Sequence, residues 1–148
     1  MGYAMGYAER NVWTGLVASV AGVAVYAAIV LPQLGDRPVD EVEWQWPMVF
    51  CVVGALAAAI VASIVWGIAA GMRDPETEHR ADVRDRDIER MGDRVGQAFS
   101  VIGGLVALVL AMVGGDLFWI GNAIFFGFFL TATIGSVARL VAYHRGLV

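Results

Sequence analysis

Four stretches that carry no charged residue, at roughly 11–31, 47–72, 95–115 and 117–138, occupy most of this 148-residue chain. Each is long enough to cross the ~30 Å hydrocarbon core of a bilayer as a helix. A backbone placed in lipid must satisfy its own hydrogen bonds, which a helix does within one segment. The expected fold is therefore all-α: an integral membrane four-helix bundle of two helical hairpins, with one charged helix between the second and third spans. With 59% apolar residues, the whole chain, 1–148, reads as a single membrane domain with no room for a separate soluble catalytic domain. Residues 1–10 lack the cationic n-region and small-residue cleavage site of a signal peptide, so the first apolar stretch is expected to be a retained helix. The sole cysteine, Cys51, lies within an apolar run, which excludes an intrachain disulfide framework and a cysteine-rich metal site and leaves it as a small hydrophobe.

Orientation follows from arginine, since the chain contains no lysine. With four spans, Arg10, Arg73, Arg80, Arg84, Arg86, Arg90, Arg94, Arg139 and Arg145 fall on one side and only Arg37 on the other. The positive-inside rule then places both termini in the cytoplasm and the chain in the cytoplasmic (inner) membrane as a multi-pass protein. Nine carboxylates accompany those nine arginines, so the formal charge of -4 belongs nearly all to the outer face, which should repel anions and weakly concentrate cations.

The connections differ in character. Residues 32–46 hold two prolines, a Gly-Asp pair and clustered acids, chemistry expected to form an exposed loop, with Trp44, Trp46 and Pro47 marking re-entry at the headgroup level. Gly114-Gly115-Asp116 is short enough to turn spans three and four tightly back on each other, with Phe118 and Trp119 at the rim. Glu9-Arg10 and Asp93-Arg94 open the two halves alike, either as a parallel duplication or as what any membrane hairpin requires. Small residues recur every four positions, as Gly15 with Ser19, Ala18 with Gly22, Gly67 with Gly71, and Gly127 with Thr131 and Gly135. Such rows let backbones approach closely; they serve packing within the bundle or, for the Gly127 row, a homo-oligomer contact.

The charged segment between spans two and three, about 75–94, is expected to be a helix that begins at Asp74-Pro75-Glu76, where an N-cap carboxylate precedes proline at the first helical position. Asp82, Asp85, Glu89 and Asp93 form one stripe and Arg86, Arg90 and Arg94 the stripe beside it, which predicts i,i+3 and i,i+4 pairs such as Asp82 with Arg86 and Arg90 with Asp93. On the other side Ala81, Ile88, Met91 and Val95 make an apolar seam interrupted by Arg84. Matched charges suit an anionic lipid surface poorly, so the seam is expected to pack on protein: the bundle's own inner mouth, a second subunit or a soluble partner. If Gly92 and Gly96 do not break it, this helix continues into span three.

D-x-R-D-x-x-I at Asp82, Arg84, Asp85 and Ile88, followed by Gly92, Arg94 and Gly96, then F-W-I-x-N at Phe118 to Asn122, and a closing Tyr143 to Gly146, resembles the small four-span bacterial membrane proteins grouped as domains of unknown function of the DUF2178 type. The resemblance covers most of the chain, with Val83 in place of the usual glutamate and His144 inserted before the closing arginine. It brings no established activity; the occurrence of some members beside small helix-turn-helix regulators would suit a cytoplasmic docking surface.

Chemistry is sparse. Asp85 with Glu89 and Glu89 with Asp93 have a spacing that could share a hard cation, but neighbouring arginines favour salt-bridged structural use, and no metal or cofactor is expected. His79 reads as a surface residue or weak pH sensor. No nucleophile elbow, Cys with a nearby His, phosphate-cradling loop or HExxH helix is present, so no catalytic residue and no enzyme is expected. One-for-one pairing of the arginines disfavours direct nucleic-acid binding. No charge lies deep in a span, and Asn122 is the intramembrane polar residue that most needs a partner across a helix interface.

These features point to a non-enzymatic binding, regulatory or scaffold protein, surrounded by membrane lipids, whose charged helix meets a cytoplasmic partner or a second copy through Asp82, Arg84, Asp85, Ile88, Arg90 and Met91. The alternatives are a small channel or transporter with a pathway between spans near Asn122, and an accessory subunit of a larger membrane complex.

Overall fold

The computed structural model describes residues 7–71 and 78–145. They form four α-helices, α1 (Tyr7–Asp36), α2 (Gln45–Gly71), α3 (Glu78–Met112) and α4 (Leu117–Arg145), with a short 3-10 turn at Val39–Glu41. All four helices are long and apolar enough to cross a membrane, which makes this a multi-pass membrane protein. Large apolar side chains stand outward along them, among them Phe50, Leu56 and Ile68 on α2 and Leu105 and Val109 on α3. That much exposed hydrocarbon would drive aggregation in water and is satisfied in lipid.

Two boundaries depart from the sequence expectation. The stretch 32–46 is not all loop, because α1 runs through Pro32 to Asp36. Proline lacks the N–H that would bond the carbonyl four residues back, and at the next residue the Gln33 side chain folds back onto the helix: its Nε2 donates to the Ile29 carbonyl at 3.0 Å. The Gln33 Oε1 accepts from the Glu43 backbone N–H at 3.0 Å, which ties the remaining connection to the end of α1. The charged segment and the third span are one helix of 35 residues, unbroken at Gly92 and Gly96. The expected start of that helix at Asp74-Pro75 lies outside the described residues.

At the α3–α4 turn the chain uses glycine where nothing else fits. Gly114 has φ +75°, the Gly115 N–H reaches the Leu110 carbonyl at 2.8 Å and the Gly114 N–H reaches Ala111 at 3.3 Å. This pattern closes the helix end with a left-handed residue.

Packing gives a definite order of neighbours. α1 packs on α2 and on α4, α4 packs on α1 and most extensively on α3, and no other pair of helices packs to that extent. Along the bundle the helices follow the order α2, α1, α4, α3. The α1–α4 contact buries Tyr26, Val30, Val42, Phe118 and Phe125 in one apolar cluster, flanked by Met48 and Cys51 of α2. Trp44 folds over its end: a Cβ added at Gly121 would lie 2.5 Å from the Trp44 ring, so only glycine admits the indole there. Trp46 stays out, 71% exposed. Of the two tryptophans expected at the membrane surface, one closes the core and the other faces its surroundings.

Candidate polar cleft and charged arm

Glycine sets the α3–α4 seam. A Cβ at Gly103 would fall 2.7 Å from the Gly127 Cα, and one at Gly96 would fall 2.6 Å from the Thr131 carbonyl oxygen. Gly135 faces the Gly92 carbonyl at 3.0 Å by the same measure. The row Gly127, Thr131, Gly135 is thus spent inside the chain, against Gly92, Gly96 and Gly103, and does not offer the oligomer contact entertained from its spacing. Backbones this close gain dispersion contacts that lipid tails cannot match. The Thr131 hydroxyl lies 3.0 Å from the Gly96 carbonyl and 2.9 Å from that of Gly127. Because one hydroxyl donates once, the 2.6 Å contact with Ser100 lets Ser100 donate to Thr131 in turn.

Followed one step further, the same four-residue row reaches Arg139, whose stem lies across Gly92: a Cβ at that glycine would sit 2.6 Å from the Arg139 Nε. The Arg139 Nη2 holds the Asp93 carboxylate of α3 in an ion pair. Asp93 was expected to pair with Arg90 within its own helix; Arg90 instead approaches Asp87 at 4.0 Å. Arg139 Nε is buried with no hydrogen-bond partner among the described residues. The pair stands where charge gives out: no ionisable residue occurs between Arg94 and Asp116 on α3, or between Asp116 and Arg139 on α4.

Beside this pair a cavity of about 290 Å³ opens between α1, α3 and α4. α1 contributes Gly15 and Ser19, α3 contributes Gly92 and Asp93, and α4 contributes Thr131, Ser136 and Arg139. It exists because α1 and α3 both lean on α4 without meeting each other to a similar extent. A second, apolar groove of about 600 Å³ runs between α1 and α2 past Gly22, Phe50 and Gly54.

The residues expected to meet a partner divide. Ile88 is 0% exposed, covered by this chain's own helices, so its part of the apolar seam is already occupied. Met91 is half-buried and Arg90 is exposed. Asp85 accepts a hydrogen bond from the Tyr143 hydroxyl at 3.1 Å, a second tie from the arm to α4. The side chains of Asp82 and Arg84 lie outside the described residues. Among the described residues no group of three or more His, Cys, Asp and Glu converges as a metal site.

Asn122 is far from both the arm and the cavity. It is 6% exposed, accepts a 2.7 Å hydrogen bond from Tyr26 through Oδ1, and donates at 2.8 Å to the Phe118 carbonyl. The remaining cross-helix ties cluster at the charged end. Ser63 donates to Asn11 at 3.2 Å, Arg10 lies 5.4 Å over the Trp66 ring, and His144 approaches Glu9 at 3.7 Å. The sequence singles out Asn122, with Tyr26 and Ser136 among the other polar candidates, but not Arg139 as part of the cleft; the legible signal for Arg139 is that it extends the Gly127 row by four. No known protein family, curated protein or solved structure matches this chain.

Proposed function

We propose that this chain is a non-enzymatic scaffold or binding protein of the cytoplasmic membrane, whose charged α3 arm docks a protein partner or a second copy on the cytoplasmic side. One observation carries the reading: arm and span are a single helix, tied to α4 by the Asp93–Arg139 ion pair and the Tyr143–Asp85 hydrogen bond, with Ile88 buried. The outward charges are therefore held rigidly, with the Arg90 side chain at 75% exposure and Arg94 exposed on the same arm. Orientation is argued from arginine, since Arg10, Arg86, Arg90, Arg94, Arg139 and Arg145 share one end of the bundle and Arg37 sits at the other. The four-span resemblance carried by Asp85, Ile88 and the Phe118 to Asn122 motif is compatible with such a role and adds no activity to it.

Docking through exposed charge predicts that a charge-reversed face loses its partner while the fold persists. In native mass spectrometry of protein released by a mild detergent, the wild type should carry a second copy or an associated protein, and Arg90→Glu with Arg94→Glu should lose it. A lone wild-type chain, or a complex unchanged by the double substitution, overturns the proposal. A channel near Asn122 has less support, since both polar atoms of its side chain are engaged. The accessory-subunit reading has one specific support: none of the spanning window of α2 is fully buried, which leaves the side of α2 away from α1 for lipid or a larger assembly.

A further inference from the structure

We propose that the cavity between α1, α3 and α4 is a binding site for the headgroup of a zwitterionic phospholipid, with the phosphate on Arg139 and the ammonium on Asp93. Three observations carry this. Arg139 is the first charge to follow the uncharged stretch of α4, and its partner Asp93 lies one residue before Arg94, the last charge ahead of the uncharged stretch of α3, so the pair stands at the level where headgroups meet hydrocarbon. The cavity descends from that pair along α4 to Thr131, about two helical turns, which is the depth of a glycerol backbone and the first methylenes of an acyl chain. Its volume of about 290 Å³ suits a headgroup, and Ser19, Thr131 and Ser136 supply hydroxyls along it.

Charge selects among lipids. Only Nη2 of Arg139 is committed to Asp93, so the guanidinium keeps donors for a phosphate oxygen. The Asp93 carboxylate, 63% exposed, keeps acceptor capacity for an ammonium. An anionic headgroup would satisfy Arg139 but set a second negative charge beside Asp93, and a free phosphate would gain nothing from Asp93 or from the apolar depth of the cleft.

The test uses the full chain, stripped of lipid in a non-ionic detergent and titrated separately with short-chain phosphatidylethanolamine, short-chain phosphatidylglycerol and inorganic phosphate, with bound mass counted by native mass spectrometry. One phosphatidylethanolamine per chain should bind in preference to the other two. Arg139→Gln should weaken it about tenfold or more, the effect of losing a charge-assisted contact. Because Arg139 also packs on Gly92, a second variant guards against misfolding: Gly15 lines the cleft and a Cβ there meets nothing within 4 Å, so the Gly15→Leu side chain starts in open space and takes up room in the cleft. It should abolish retention while the helical content stays that of the wild type. Phosphatidylglycerol or inorganic phosphate bound as tightly as phosphatidylethanolamine, or undiminished retention by Gly15→Leu, overturns the proposal.

Discussion

The phenol of Tyr26 on α1 donates to the Oδ1 of Asn122 on α4 across 2.7 Å, with Tyr26 2% and Asn122 6% exposed. It is a polar contact between α1 and α4 set within an apolar cluster that includes Val30, Phe118 and Phe125. Tyr26 also meets Phe125 at 4.9 Å between ring centres, so its ring and its hydroxyl are fixed together.

A double-mutant cycle of Tyr26→Phe and Asn122→Ala should give a coupling of about 0.6 to 2 kcal/mol, the range for interhelical hydrogen bonds in membranes. Reversible unfolding in mixed micelles measures it. Each single substitution should loosen α1 from α4 and leave the α3–α4 contact intact.

Neighbouring glycines in α3 should respond in opposite directions. Gly103→Ala forces a methyl toward the Gly127 Cα and should cost about 1 to 3 kcal/mol, whereas Gly104, with nothing within 4 Å, should accept alanine with a gain of about 0.5 to 1 kcal/mol from helix propensity. The same unfolding assay on the two variants decides it. Equal effects would mean that the seam is not as close as described.

Ile88 should behave as a core residue. Because it is 0% exposed, its truncation to alanine should cost about 2 to 5 kcal/mol, and Ile88→Asp should loosen the charged arm from the bundle. Limited proteolysis around residues 85–94 reports this directly: cleavage should rise sharply in Ile88→Asp and stay at the wild-type level in Arg90→Glu.

A side chain at Gly114 should strain the backbone without meeting a neighbour. At φ +75° an alanine is strained by about 1 kcal/mol, so Gly114→Ala should lower the thermal midpoint, while Gly115, whose φ is not positive, is limited instead by its 3.0 Å approach to the Leu110 carbonyl oxygen. Differential scanning fluorimetry in detergent compares the two.

Hydropathy and arginine placement along the chain were enough to locate four spanning helices, the short glycine turn and the need of Asn122 for a partner, because transfer into lipid depends on what a segment is made of and little on what it touches. The neighbour of each face was decided only by the tertiary structure. That the Gly127 row meets α3 instead of another molecule, that Ile88 is covered from within, and that Asp93 reaches Arg139 instead of Arg90 all depend on which helix stands opposite. Between helices surrounded by lipid there is no hydropathic difference to read, since a lipid tail and a leucine are equally apolar. Close shape fit at glycines and a few polar contacts choose the neighbours, and both exist only once two helices are placed side by side.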